Sequence, residues 1–247
     1  IWITCLLMDI FNYILIVGVC NWYFTSTNER RGSLKLCNGI MWAFTKNLGS
    51  IALGSALMTM TWLLRVLVGW FFKRLAESDG ENCIVNCLAC LCTCCIDICQ
   101  RCINYIEERA YVQVALEGKN FCESAGQAMT LNKRHAADYI VIDGMGMLLE
   151  FLGKVTIAIG NAAVGYLMLT QVQEFKGKVD NPWVPIAVIF IISFVMASMF
   201  MSVFSVTSMT LLQCLYVDFD FAKHKGLHFH QNSNRPKEMI RIVNHVT

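Results

Sequence analysis

The chain has 247 residues, of which 56% are hydrophobic and 15% are charged, and its mean hydropathy is +0.50. A soluble domain usually has about 45–50% apolar and about 25% charged residues, so this composition indicates a protein embedded in lipid. The formal net charge of +2, from 20 Lys and Arg against 18 Asp and Glu, argues against a nucleic-acid-binding protein.

The first predicted element is a transmembrane helix over residues 1–24, because about 20 apolar residues are enough to cross the hydrocarbon core. Asp9 interrupts its apolar run and is a weaker candidate for a functional charge. The run ends at Trp22, Tyr23 and Phe24, aromatic residues of the type that lie among lipid headgroups. Since residue 1 is Ile and lies inside an apolar run, we expect the chain to begin part-way through a longer protein.

The second predicted span covers residues 47–72. It contains Gly49, Gly54 and Ser55, small residues that allow helices in a membrane to approach closely. Arg65 lies within this span, near enough to its end for its long side chain to reach the membrane surface.

Residues 73–138 are predicted to be a cytoplasmic segment that contains a cysteine-rich helix lying along the membrane. Eight cysteines fall between Cys83 and Cys102, and Cys87, Cys90 and Cys94 share one stripe of a helix, with Cys95 on the adjacent stripe. In one interpretation the helix is simply apolar, with Cys acting as a small hydrophobic residue. In a second, these four cysteines carry palmitoyl groups. We assign no metal and no cofactor, because a zinc site needs four converging ligands and the stretch contains no His.

The third predicted span, residues 139–170, contains three ionisable residues. A charge at bilayer depth costs at least about 2.5–3.5 kcal/mol, so each of them needs a partner or a function. Glu150 and Lys154 are spaced i,i+4 and can pair on one helix face, while Asp143 either lies at the interface or faces a polar cavity. The fourth span is predicted over 183–215, followed by a tail at 217–247.

The distribution of Lys and Arg predicts the orientation of these spans. With four spans, residues 73–138 and the tail lie on one side and hold twelve Lys and Arg, against six in the loops on the other side. Because cytoplasmic loops are enriched in these residues, we place the cysteine-rich segment and the C-terminus in the cytoplasm. The predicted fold is an all-α polytopic transmembrane bundle of four to five spans plus the cysteine-rich membrane-lying helix. The sequence does not indicate which membrane, plasma or organelle, contains it.

Several short motifs follow one another in a fixed order along the chain. They are an L-G-S-I-A-L-G-S run from Leu48, G-K-N-F-C at 118–122, F-L-G-K at 151–154, W-V-P-I at 183–186 and F-S-V at 204–206. In this order they resemble the C-terminal half of the choline transporter-like family of solute carriers. The resemblance covers nearly the whole chain.

The resemblance implies a carrier of about ten helices, of which this chain holds the last four or five. Family members move choline and in some cases ethanolamine, in exchange for protons. Asp143 and Glu150 would then serve charge balance or proton coupling, and Lys154 would hold Glu150. A quaternary ammonium group is held by aromatic faces, for which Trp42, Trp62 and Tyr166 are candidates.

Two functions therefore remain open at this point. One is transport of choline or a related amine, with membrane lipid and an organic cation as partners. The other is a transport-inactive relative that serves as a structural or accessory subunit of a larger membrane assembly. The second is favoured by Met147, which occupies the position where the family usually has a second acid. We do not expect an enzyme, because the sequence has no Ser-His-Asp set, phosphate loop or zincin motif.

Overall fold

The computed structural model describes residues 1–24, 36–79, 83–171 and 183–224, although not every side chain near the ends of these ranges. In these ranges the chain forms seven helices and no strand, which confirms the predicted all-α class. They are α1 (Trp2–Phe24), α2 (Leu36–Thr45), α3 (Leu48–Asp79), α4 (Cys83–Glu117), α5 (Phe121–Arg134), α6 (Ala136–Gln171) and α7 (Trp183–His224). Most of the predicted tail lies outside the described residues.

Four stretches of helix are long and apolar enough to cross a membrane. They are Trp2–Phe24, Leu48–Leu75, Cys87–Glu117 and Trp183–Phe221. Three of them match the predicted spans 1–24, 47–72 and 183–215, and α6 covers the predicted span 139–170. The stretch in α4 falls inside the segment predicted to be cytoplasmic. Its helical structure is confirmed, and its position along or across the membrane stays a prediction.

The chain folds into two compact units, which are described separately. Among the described residues, those up to 134 and those at 210–224 form the first unit, and those from 135 to 209 form the second. In the first unit, α1, α3 and α4 pack against one another, α2 lies against α1, and α5 lies against α4. The fully buried Tyr111 is central to this packing: its ring makes edge contacts with Tyr13 at 6.3 Å and with Phe121 at 5.9 Å between centroids.

Helices α3 and α4 run antiparallel and contact each other at two separate points. At one point Arg65 and Asp97 form an ion pair with a nitrogen–oxygen distance of 3.0 Å. At the other, Gly54 lies directly beneath the side chains of Glu107 and Tyr111. Helix α4 ends at Glu117 and is followed by Gly118, whose φ of 68° is left-handed and favours glycine over other residues. The chain then enters α5 at Phe121.

The last turns of α7 are held in the first unit by polar contacts. The amide nitrogen of the fully buried Gln213 donates to the backbone carbonyl of Arg109 at 2.9 Å. The thiols of Cys20 and Cys214 lie 3.6 Å apart, and the hydroxyl of Tyr23 lies 3.4 Å from a carboxyl oxygen of Asp218. A buried polar side chain without a partner is costly, so these contacts hold α7 against α1 and α4.

In the second unit, α6 packs against the first part of α7 through two glycines. A Cβ atom at Gly153 would lie 2.7 Å from the Met201 side chain, and one at Gly165 would lie 2.8 Å from the Ile189 side chain. These glycines therefore allow a closer approach of the two helices than larger residues would permit.

Candidate functional site

Two acidic side chains from different helices converge in the first unit on one tyrosine hydroxyl. The Tyr111 hydroxyl lies 2.8 Å from Glu107 Oε1 and 3.4 Å from Asp9 Oδ2. The backbone carbonyl of Ile51 is a further acceptor, 3.3 Å away. Glu107 is only 5% exposed, and Asp9 is half-buried. We call Asp9, Glu107 and Tyr111 the acid cluster.

The contacts of the acid cluster are all favourable when one of its two carboxyls is protonated. A tyrosine hydroxyl has one hydrogen and can donate fully to one acceptor, here Glu107, the nearest of the three oxygens. The Asp9 carboxyl then needs a proton of its own to make an attractive contact with the Tyr111 oxygen or with Glu107. Two ionised carboxylates that contact the same hydroxyl, away from water, would repel each other strongly. With one of its two carboxyls protonated, the cluster has a net charge of −1.

Glycine at position 54 makes room for the acid cluster. A Cβ atom there would lie 2.2 Å from the Tyr111 hydroxyl and 2.6 Å from Glu107 Oε1. Polar contacts also surround the cluster. Asn47 donates to the hydroxyl of Tyr13 at 2.7 Å, and the indole nitrogen of Trp2 donates to Ser55 at 3.2 Å.

The sequence analysis missed Glu107 and Tyr111, and it named Asp9 only as a weaker candidate. Asp9 and Glu107 are 98 residues apart in the chain, so no local pattern connects them. The i,i+4 spacing of Glu107 and Tyr111 places them on one helix face, and Gly54 belongs to one of the family motifs. These two signals were present, but Glu107 lay in a segment predicted to be outside the membrane.

The predicted site residues of the third span all lie on α6, in the second unit. Lys154 hydrogen-bonds Glu150, as the i,i+4 spacing predicted, and both side chains are about one-fifth exposed. Asp143 is half-buried, whereas Tyr166 is 45% exposed on the helix surface. Roles for these residues in substrate binding or proton coupling stay predictions.

The two predicted aromatic residues Trp42 and Trp62 lie in the first unit, on α2 and α3. The ammonium group of Lys46 lies 5.8 Å from the centre of the Trp42 ring, so a cation already contacts this face. Trp62 is 39% exposed, which also suits a residue that faces lipid. Contact of Trp42 or Trp62 with a substrate stays a prediction.

The cysteines proposed for lipidation are exposed along α4. Cys87, Cys90, Cys94 and Cys95 are all free thiols on the surface of the helix. This exposure is compatible with both the plain apolar helix and the palmitoylated one, and lipidation stays a prediction. Within the described ranges, no group of three His, Cys, Asp or Glu side chains is arranged to hold a metal ion.

A family model described as plasma-membrane choline transporter matches residues 1–220. The chain belongs to the choline transporter-like family. It is 29% identical over 219 residues to choline transporter-like 2 of Anopheles gambiae, covering 89% of this chain and 27% of that protein. It is 30% identical over 178 residues to choline transporter-like protein 4 of Bos taurus, covering 70% and 25%. For choline transporter-like protein 1 of Rattus norvegicus the identity is 25% over 219 residues, covering 88% and 32%.

Family membership and the four apolar stretches of helix together identify an integral multi-pass membrane protein. This choline transporter-like chain spans about a quarter to a third of the length of the curated relatives that it matches. The acid cluster connects three of its apolar helices, because Tyr111 of α4 contacts Asp9 of α1 and the Ile51 carbonyl of α3.

Proposed function

We propose that this protein takes part in moving choline or a related amine across a membrane, with the acid cluster as its proton-binding site. The observation that carries the proposal is the convergence of Asp9 and Glu107 on Tyr111 inside apolar helices. Ionisable residues within a membrane have a high free-energy cost and usually mark an ion or proton pathway. Membership of a family named for choline transport supports the choice of substrate.

The chemistry of the acid cluster suits exchange of a cation for a proton. With one carboxyl protonated, the pair carries a single negative charge and can be buried at moderate cost. Loss of that proton leaves two adjacent carboxylates, which strongly favour the arrival of a positive charge. An ammonium group and a proton therefore compete for the same negative site. Opposite gradients of the two would drive exchange.

Asp143 remains a second candidate for proton coupling, on α6. The Glu150–Lys154 contact makes Glu150 a weaker one, since its charge is already neutralised by a neighbour on the same helix. The alternative function is a transport-inactive structural or accessory subunit. Neutralisation of Glu150 by Lys154 favours this alternative, because a subunit that transports nothing needs no unpaired charge along a pathway.

Uptake of radiolabelled choline into proteoliposomes tests the proposal. The protein is reconstituted into vesicles that initially contain no choline and are more acidic inside than outside. Uptake is compared with vesicles that lack protein. We expect uptake above background, abolished by Glu107→Gln and by Asp9→Asn and reduced by Tyr111→Phe. Asp97→Asn is the matched control, because it makes the same chemical change at a partly exposed carboxylate on the same helix, ten residues from Glu107.

The outcomes separate the alternatives. Wild-type uptake that is unaffected in a folded Asp9→Asn/Glu107→Gln protein removes the acid cluster from the mechanism, and Asp143→Asn then tests the second candidate. No uptake by folded wild-type protein, together with stable co-purification of other membrane proteins, favours the accessory function. Size-exclusion elution and intrinsic tryptophan fluorescence show whether each variant is folded.

A further inference from the structure

A cleft of about 750 Å³ opens in the first unit between the end of α4, the length of α5 and the last turns of α7. Its polar wall is rich in oxygen acceptors. Glu117 and Glu123 line it, and both carboxylates contact the ammonium group of Lys119, at 2.9 and 3.1 Å. These two hydrogen bonds raise the pKa of Lys119. At the opposite end of the cleft, Arg134 pairs with Asp220 at 2.9 Å.

Two glutamines in the same wall have amide oxygens without a hydrogen-bond partner. Gln113 is 4% exposed and lines the cleft, and its buried Oε1 receives no hydrogen bond. The Oε1 of Gln127, on the facing helix, is also buried and unpaired. Unpaired buried acceptors are rare in folded proteins, and each calls for a donor. Two residues that line the cleft therefore have unpaired carbonyl oxygens, and two others have carboxylates.

The cleft lies where two apolar stretches of helix end. The stretch in α4 ends at Glu117 and the stretch in α7 ends at Phe221, and both residues line the cleft. Leu131, Val217 and Phe221 add apolar side chains to its lining. A site lined by both polar and apolar side chains at the end of apolar helices suits the boundary between lipid headgroups and hydrocarbon.

We propose that this cleft binds a primary ammonium group, carried by an aminophospholipid headgroup or by a small amine with an apolar body. A primary ammonium group has three N–H donors, which match the amide oxygens of Gln113 and Gln127 and the nearby carboxylates. A quaternary ammonium group has no N–H donor and leaves both amide oxygens unpaired. The cleft is thus expected to reject the trimethylated group, and the proposal does not depend on transport activity.

The contact of Lys119 with Glu117 and Glu123 gives the proposal a directional test. The Lys119 side chain is itself a primary ammonium group, and it occupies both carboxylates in this structure. Lys119→Ala should therefore strengthen ligand binding by freeing them. Glu123→Gln and the double variant Gln113→Leu/Gln127→Leu should weaken it. A cleft that is merely structural would not respond in opposite directions to these changes.

The lipid source is tested by native mass spectrometry of protein purified with equal amounts of phosphatidylethanolamine and phosphatidylcholine. We expect wild-type protein to retain the primary-amine lipid several-fold more than the quaternary one. Lys119→Ala should raise this ratio, and the Gln113→Leu/Gln127→Leu protein should bring it close to one. Glu108→Gln, outside the cleft, should leave it unchanged.

The soluble source is tested by thermal unfolding in phosphatidylcholine nanodiscs with n-butylamine or butyltrimethylammonium. Stabilisation by n-butylamine alone, lost in the double glutamine variant, supports the site even when the lipid ratio is one, and then assigns it to a soluble amine. The proposal is overturned when wild-type protein discriminates neither between the two lipids nor between the two amines. It is also overturned when the discrimination survives in the folded double glutamine variant.

Discussion

Substitution of Gly54 by Ala is the sharpest perturbation of the acid cluster. The added Cβ would lie 2.2 Å from the Tyr111 hydroxyl and 2.6 Å from Glu107 Oε1. Atoms do not approach a Cβ this closely in folded proteins, so the hydroxyl must move by about 1 Å, as overpacking in a filled core requires. Such a displacement breaks the contacts from Tyr111 to Glu107, at 2.8 Å, and to Asp9, at 3.4 Å.

The expected cost of Gly54→Ala follows from these contacts. Overpacking in a filled core costs about 1–3 kcal/mol. Loss of one hydrogen bond to a charged group adds about 1.5–3 kcal/mol. Replacing Gly by Ala in a helix returns up to about 1 kcal/mol. We therefore expect a net loss of about 1.5–6 kcal/mol in the free energy of unfolding.

Reversible denaturation in mixed micelles, followed by tryptophan fluorescence, measures this loss. Gly49→Ala is the matched control on the same helix, because a Cβ there meets no atom within 4 Å, and it should be neutral or slightly stabilising. Tyr111→Phe removes the clashing hydroxyl, so Gly54→Ala should cost less in that background. A Gly54→Ala protein as stable as wild type would refute the packing on which the acid cluster rests.

Three further predictions concern contacts elsewhere in the chain. Gln213→Leu removes the side-chain donor from α7 to the backbone carbonyl of Arg109 in α4 and should lower the free energy of unfolding by about 1–3 kcal/mol in the same denaturation assay; an unchanged value would contradict it. Lys154→Met leaves Glu150 without its ion-pair partner in the predicted third span and should cost at least about 2.5 kcal/mol in that assay, whereas Glu150→Gln/Lys154→Met should cost less; equal losses would show that the two charges do not interact. The thiols of Cys20 and Cys214, 3.6 Å apart, should form an intramolecular disulfide under copper–phenanthroline oxidation, detected by proteolysis and mass spectrometry as a disulfide-linked pair of peptides that contain these two residues. Cys20→Ser should abolish this peptide pair, and its absence from the oxidised wild-type protein would contradict the contact.

Apolar length was sufficient to predict α1, α3 and α7 from the sequence. The full extent of α4 could not be predicted in this way, because its second half contains Glu107 and Arg109, which interrupt the apolar pattern. In the fold both side chains are buried, at 5% and 3% exposure. Glu107 accepts a hydrogen bond from Tyr111 and the Arg109 side chain donates to the Tyr105 carbonyl, both within α4, while Gln213 of α7 donates to the Arg109 carbonyl. Burial with partners removes the cost that would otherwise exclude these residues from an apolar helix.

The candidate site was less predictable than the fold, for a related reason. The Glu150–Lys154 contact follows from helix geometry alone, so spacing revealed it. The acid cluster depends on three helices that meet, and the positions of Asp9 and Gly54 relative to Glu107 are fixed only by tertiary packing. A sequence shows that an apolar helix contains a carboxylate, but not which other helix supplies its partner.

The two contact points between α3 and α4 also limit how this region can change in evolution. Gly54 and Arg65 are eleven residues apart, about 16 Å along α3, and their partners Glu107 and Asp97 are ten residues apart on α4, about 15 Å. One residue inserted between Asp97 and Glu107 would rotate one contact point by about 100° relative to the other. The Arg65–Asp97 ion pair and the packing of Glu107 over Gly54 could then not form at the same time. The length of this stretch should therefore be invariant among related sequences even where its residues differ, while insertions accumulate in the connections outside it.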